Sequence, residues 1–145
     1  MDSSDEVAEP VTPTRTIGVR VRADFEDLAL LRAVTETVAL FADFAMDQVV
    51  DIRLAVEEVA GALVQDSVRD TELDCAFEYD RAGMRVRITG VTTSEKGPDE
   101  GGMGWHIVSA LTDALTTSVG PFESALGGHR ATIEFCCTAA VTDDR

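Results

Sequence analysis

Two stretches of this 145-residue chain carry residue types that can do chemistry. The first is Gly101-Gly102-Met103-Gly104-Trp105-His106, a glycine turn that runs straight into the helical pattern Ile107, Val108, Ala110, Leu111, Leu115. Glycines let a backbone turn tightly and approach a ligand closely. The following helix offers unpaired N–H groups and the positive end of its dipole to an anion such as phosphate. The second stretch, Asp51-Ile-Arg-Leu-Ala-Val-Glu-Glu-Val-Ala-Gly-Ala62, reads as a helix that puts Glu58 and Ala62 one turn apart on one face. Both stretches also have a plainer reading. Glu58 beside Glu57 fits a solvated helix face as well as a general base, and the glycine turn fits a simple helix entry with Trp105 packed on the sheet.

The other reactive groups exclude several classes. Cys75, Cys136 and Cys137 lie in apolar, strand-like runs without metal-ligand spacing, so they read as buried thiols and neither a zinc site nor a disulfide framework is expected. His106 and His129 have no neighbouring serine or cysteine in a nucleophile arrangement, which argues against a histidine-based hydrolase. The formal charge of −15 repels nucleic-acid phosphates and favours a basic protein partner. No apolar run approaches the ~18 residues of a membrane span, and Met1-Asp-Ser-Ser-Asp-Glu6 is acidic where a secretory signal is basic and then apolar. These features predict a cytoplasmic protein with no direct nucleic-acid or membrane contact.

The chemistry-bearing stretches need a frame, and hydrophobic periodicity supplies it. Residues 1–14 are acidic and then proline-bearing, which predicts a disordered tail; one domain spans 15–138, and 139–145 read as a frayed end. Ile17, Val19 and Val21 alternate as a half-buried strand. Asp24 is placed to cap a helix whose stripe is Leu31, Val34, Val38 and Phe41. A second helix runs from about Met46 to Val68 on Ile52, Val56, Val59 and Leu63. Leu73 to Tyr79 and Met84 to Ile88 alternate on either side of Asp80-Arg-Ala-Gly83, a β-hairpin. A polar loop covers 90–102, a helix follows Gly104, a short strand covers 116–119, a loop covers 120–130, and a closing strand covers 131–137. Grouped helices beside consecutive hairpin strands predict an α/β two-layer sandwich, its sheet mixed and mostly antiparallel, with helices on one face.

Leu54-Ala-Val-Glu-Glu58, the hairpin, Glu100-Gly-Gly-Met-Gly104 and Leu111-Thr-Asp113, in this order, resemble the RsbW-type anti-sigma factors and serine-protein kinases, a family with the GHKL or Bergerat ATP-binding fold. The similarity covers roughly residues 16–137. It implies that Glu58 corresponds to the family's general base. The family's Mg²⁺-holding asparagine, four residues on, corresponds to Ala62, and its adenine-reading aspartate corresponds to Ile88, two residues before Gly90. Gly90, Gly101, Gly102, Gly104 and Gly128 match nucleotide-binding glycines, and Arg32 matches part of a partner-contacting surface.

Ala62 has no oxygen for a hard cation and Ile88 accepts no hydrogen bond, so the implied nucleotide pocket is degenerate toward ATP and Mg²⁺. The resemblance then implies a homodimeric anti-sigma factor that sequesters an alternative, stress-response type sigma factor and is relieved by a STAS-type anti-anti-sigma protein. Two alternatives stay open: an ATP-dependent serine-protein kinase acting on that anti-anti-sigma protein through Glu58, and a binding module whose pocket takes another ligand or none.

Overall fold

The computed structural model describes residues 13–140, so the expected tails lie largely outside the described residues, at 1–12 and 141–145. Strand β1 (Arg15–Arg22) is followed by a single 3₁₀ turn, Phe25–Asp27. Asp24 starts that turn, its carboxylate accepting the Asp27 backbone N–H at 3.0 Å. Helices α1 (Leu28–Phe41) and α2 (Met46–Gln65) come next, then the hairpin β2 (Glu72–Asp80) and β3 (Gly83–Thr92), helix α3 (Met103–Leu111), and strands β4 (Ala114–Glu123) and β5 (Gly128–Thr138).

The five strands form one sheet in the order β1-β2-β3-β5-β4, and every pairing is antiparallel. Alternation decides which side chains meet the helices: Leu73, Cys75, Phe77, Val86, Ile88, Ile133 and Phe135 point inward and are fully buried. They meet Leu31 of α1 and Ile52, Val56 and Val59 of α2, which are equally buried, and this contact is the core of the two-layer sandwich. Burial pushes the Cys75 and Cys137 thiols up to about 12, so both behave as small apolar side chains. The opposite face of the sheet is polar and laced with ion pairs, Arg20 with Asp74, Arg85 with Glu78 and Arg87 with Glu134.

Several element boundaries differ from the sequence expectation for identifiable reasons. Helix α2 stops at Gln65 rather than Val68, because the Val68 N–H donates to the Val91 carbonyl at 2.9 Å and Ser67 bridges to Thr92. Strand β4 runs on to Glu123 and β5 starts at Gly128, so both strands extend into the stretch 120–130 expected to be loop. Strand β4 is an edge strand, where Pro121 removes no ladder bond that matters, and a register shift between Val119 and Phe122 absorbs the Gly120-Pro121 irregularity. Phe41, expected on the core stripe of α1, is 74% exposed at the last turn of the helix. Ala139 and Ala140, expected to fray, donate their N–H groups to the Ala82 carbonyl and the Gln48 side-chain amide oxygen.

The helices sit so as to frame one site. Arg32 and Glu57 pair at 2.6 Å and Arg53 and Glu36 at 2.9 Å, which ties α1 antiparallel to α2. Helix α3 begins beside the C-terminal half of α2, where the Glu58 carboxylate touches the α-carbon of Gly104. It ends near the start of α2: Asp113 accepts the Thr138 N–H, and the Thr138 carbonyl accepts from Gln48. Helix α3 is therefore antiparallel to α2. No helix among the described residues is long and apolar enough to cross a membrane.

Candidate functional site

A cleft of about 800 Å³ opens between the start of α1, the C-terminal half of α2 and the segment 94–99. Its size and position result from the helical period. Glu57, Glu58, Gly61, Ala62, Gln65 and Asp66 fall on one side of α2 at spacings of three and four, and all of them line the cleft. Phe25, Leu28 and Arg32 form the facing wall, and Trp105 of α3 closes one end.

The two adjacent glutamates have different surroundings. Glu57 is taken up by two guanidinium groups, Arg32 at 2.6 Å and Arg53 at 3.6 Å. Glu58, a third of a turn further round, has no ion-pair partner among the described residues and is exposed toward the cleft against Gly104. A Cβ at Gly104 would collide with that carboxylate, so the bare α-carbon is what lets α3 start so close to α2.

Asp66 is anchored rather than free. Its carboxylate accepts from the Thr93 hydroxyl, from the Ser94 hydroxyl at 3.0 Å and from the Ser94 N–H at 3.3 Å. Burial works to raise its pKa, and these hydrogen bonds together outweigh burial, so the group lies below its ordinary value. The effect is to pin the start of the 93–99 segment to the end of α2.

The glycine turn also has an internal partner. Asp99 accepts the Gly101 N–H on its side chain at 3.2 Å and the Gly102 N–H on its carbonyl at 3.0 Å, with its carboxylate packed over Gly102. The anion at the start of α3 is thus one of the protein's own side chains.

The structure brings together Arg32, Glu58, Ala62 and Gly104, with Gly101 and Gly102 two and three residues from the cleft-lining Asp99. It does not bring in Gly90, Gly128 or Ile88. Gly90 is buried under Leu73 and Leu63, and Gly128 is pressed against the Thr92 carbonyl and Val68. Close packing accounts for both glycines. Ile88 is fully buried between Cys75 and Ile133 of the neighbouring strands and does not line the cleft. Gln65 and Asp66 were missed in the sequence, although the same period that picked out Glu58 and Ala62 places them on the cleft side. Trp105, expected to pack on the sheet, is half-buried against the core and also lines the cleft.

No family model matches the chain. Among curated proteins it is 30% identical over 103 residues to the anti-sigma-F factor RsbW of Mycobacterium tuberculosis, in both strain CDC 1551 / Oshkosh and strain H37Rv. Over these residues the chain is similar to the RsbW-type anti-sigma factors. The match covers 71% of this chain and 61% of each relative, so it spans about three fifths of their length.

The sequence resemblance implies a magnesium nucleotide for such a cleft, and the residues present do not fit one. Ala62 offers no oxygen, Asp66 is committed to Thr93 and Ser94, and the Asp99 carboxylate accepts the Gly101 N–H and lies over Gly102 at the turn into α3. No group of three or more His, Cys, Asp and Glu side chains among the described residues is placed to hold a metal ion. Ile88, which the resemblance aligns with the adenine-reading residue, is apolar and fully buried and offers no acceptor.

Proposed function

We propose that this chain is a cytoplasmic anti-sigma factor that sequesters an alternative, stress-response type sigma factor by binding alone, with nucleotide chemistry reduced or lost. The similarity to the anti-sigma-F factor RsbW supports the choice of a sigma factor as partner. The observation that carries the binding-only reading is the α2 wall of the cleft, where Ala62, one turn from Glu58, offers no oxygen to Mg²⁺ and Asp66 is held by Thr93 and Ser94. The Bergerat-type frame persists in this reading as a scaffold: α1 and α2, with Arg32 on the outer side of their ion-paired contact, present the surface that meets the partner. The charge of −15 complements the basic faces with which a sigma factor meets DNA and polymerase. A STAS-type anti-anti-sigma protein relieves the complex by competing for that surface, and the working unit is a homodimer.

Calorimetry of the chain with its cognate sigma factor in nucleotide-free, EDTA-containing buffer tests this reading. The expected result is a stable complex whose association slows as salt is raised. An absolute requirement for Mg-ATP would overturn it.

One observation favours a second reading, an active serine-protein kinase: among the described residues Glu58 is the cleft carboxylate with neither a hydrogen bond nor an ion pair, as a general base requires. Radiolabel transfer from ATP to the anti-anti-sigma protein that is lost in Glu58→Gln would put this reading first.

A further inference from the structure

We infer that the exposed face shared by α2 and α3 is a docking surface for a cationic amphipathic helix of the protein partner. The face is built from two apolar rows. On α2, Met46, Val50 and Leu54 recur every four residues and form one ridge. On α3, Met103 and Ile107 do the same. The Glu58–Gly104 contact and the opposite run of the two helices set Leu54 and Ile107 at the same level of the helix pair, one turn along each helix from that contact. All five side chains are solvent-exposed, Met46 by 65% and Met103 by 75%. Scattered exposed residues need no explanation, whereas two adjoining rows on neighbouring helices form a patch of the kind that marks an interaction site.

Charge selects the occupant. Asp47, Asp51 and Glu58 flank the α2 row and Glu100 precedes the α3 row. None of these carboxylates is in an ion pair among the described residues. The one cation on α2, Arg53, is committed to Glu36 and Glu57, and α3 carries neither lysine nor arginine. An apolar stripe rimmed by free carboxylates fits a helix with an apolar face and flanking Lys or Arg. A second copy of this chain would bring carboxylate rim against carboxylate rim and is disfavoured by like-charge repulsion. The inference rests on the anti-sigma reading only in taking the helix to belong to the sigma factor.

The test titrates the full chain with a synthetic Leu/Lys amphipathic helix of about six turns, and with the same peptide carrying Glu for every Lys. Saturable binding of the Lys peptide is expected, weakened about tenfold or more by Leu54→Ser with Ile107→Ser. Asp47→Asn with Asp51→Asn should flatten its salt dependence. Met103→Ser, at a side chain too exposed to matter for folding, should weaken binding in the same direction and covers the case in which the double variant unfolds. Unchanged affinity in Met103→Ser and the folded double variant, or equal binding of the Glu peptide, would overturn the proposal. So would a homodimer, seen by sedimentation, that Met103→Ser dissolves.

Running the same variants against the sigma factor separates the two readings. Peptide binding without sigma-factor binding overturns the anti-sigma reading and supports the surface. Sigma-factor binding with affinity equal in wild type and variants overturns the surface and supports the anti-sigma reading.

Discussion

The helix wall and the sheet behind the cleft answer the same chemical question differently. On α2, Ala62 stands half-exposed at the cleft, one turn from Glu58, in a position where a longer polar side chain has room and solvent. On β3, Ile88 is fully buried, paired with Cys75 on one side and Ile133 on the other, and forms part of the apolar contact under the helices. Both lack the oxygen a nucleotide pocket would use. A polar side chain at Ala62 would meet solvent, whereas one at Ile88 would disturb the packing that holds the two layers together.

The strongest way to break this comparison is Ile88→Asp. A carboxylate forced among Cys75, Ile133 and the helix layer should cost about 3–5 kcal/mol, read as a lower urea midpoint at unchanged slope. A variant as stable as the wild type would show that Ile88 opens onto the cleft.

Two glycines sharpen the contrast next. Gly128→Ala drives a Cβ into the Thr92 backbone carbonyl and Val68, which cannot retreat, and should cost about 2–3 kcal/mol. Gly104→Ala meets only the end of the Glu58 side chain, which can swing into the cleft, and should cost about 1 kcal/mol or less. Thermal melts of the two variants should rank in that order, and the reverse order would mean that Glu58 is held rigidly.

A smaller effect is expected from pH. Because the folded-state pKa of Asp66 is depressed, its contribution to stability is present above about pH 4 and is lost as pH falls through the folded value. Partial exposure limits that contribution to about 0.5 kcal/mol. Asp66→Asn should therefore be slightly less stable at pH 7 and indistinguishable from wild type in the acid range, measured by urea denaturation at each pH.

Smallest of all is Ala62→Asn. At a half-exposed helix position it should change stability by under about 0.5 kcal/mol. On its own it should leave Mg-ATP affinity weak, since Asp99 still covers the α3 N-terminus and Ile88 still offers no acceptor. Tight nucleotide binding by this single variant in a calorimeter would show that the helix wall alone decides the pocket.

Local periodicity determined much of this molecule before any tertiary contact is considered. The alternation of Ile17, Val19 and Val21, the hairpin about Asp80 to Gly83, and the stripes through Leu31 and Ile52 specify element types and buried faces, because each depends on residues only a few positions apart. The pairing of Glu58 with Ala62 was legible for the same reason.

Long-range packing decided the rest. It placed β5 between β3 and β4 and let β4 run on through Pro121 as an edge strand. It gave Glu57 to Arg32 and Arg53 while leaving Glu58 beside Gly104, although the two glutamates are adjacent in sequence. A single residue step turns about 100° round the helix, so neighbouring side chains face different elements. Which element stands on each side depends on partners tens of residues away. The same dependence put Asp66 under Thr93 and Ser94 and buried Ile88 in the core, contacts that no local pattern in the sequence encodes.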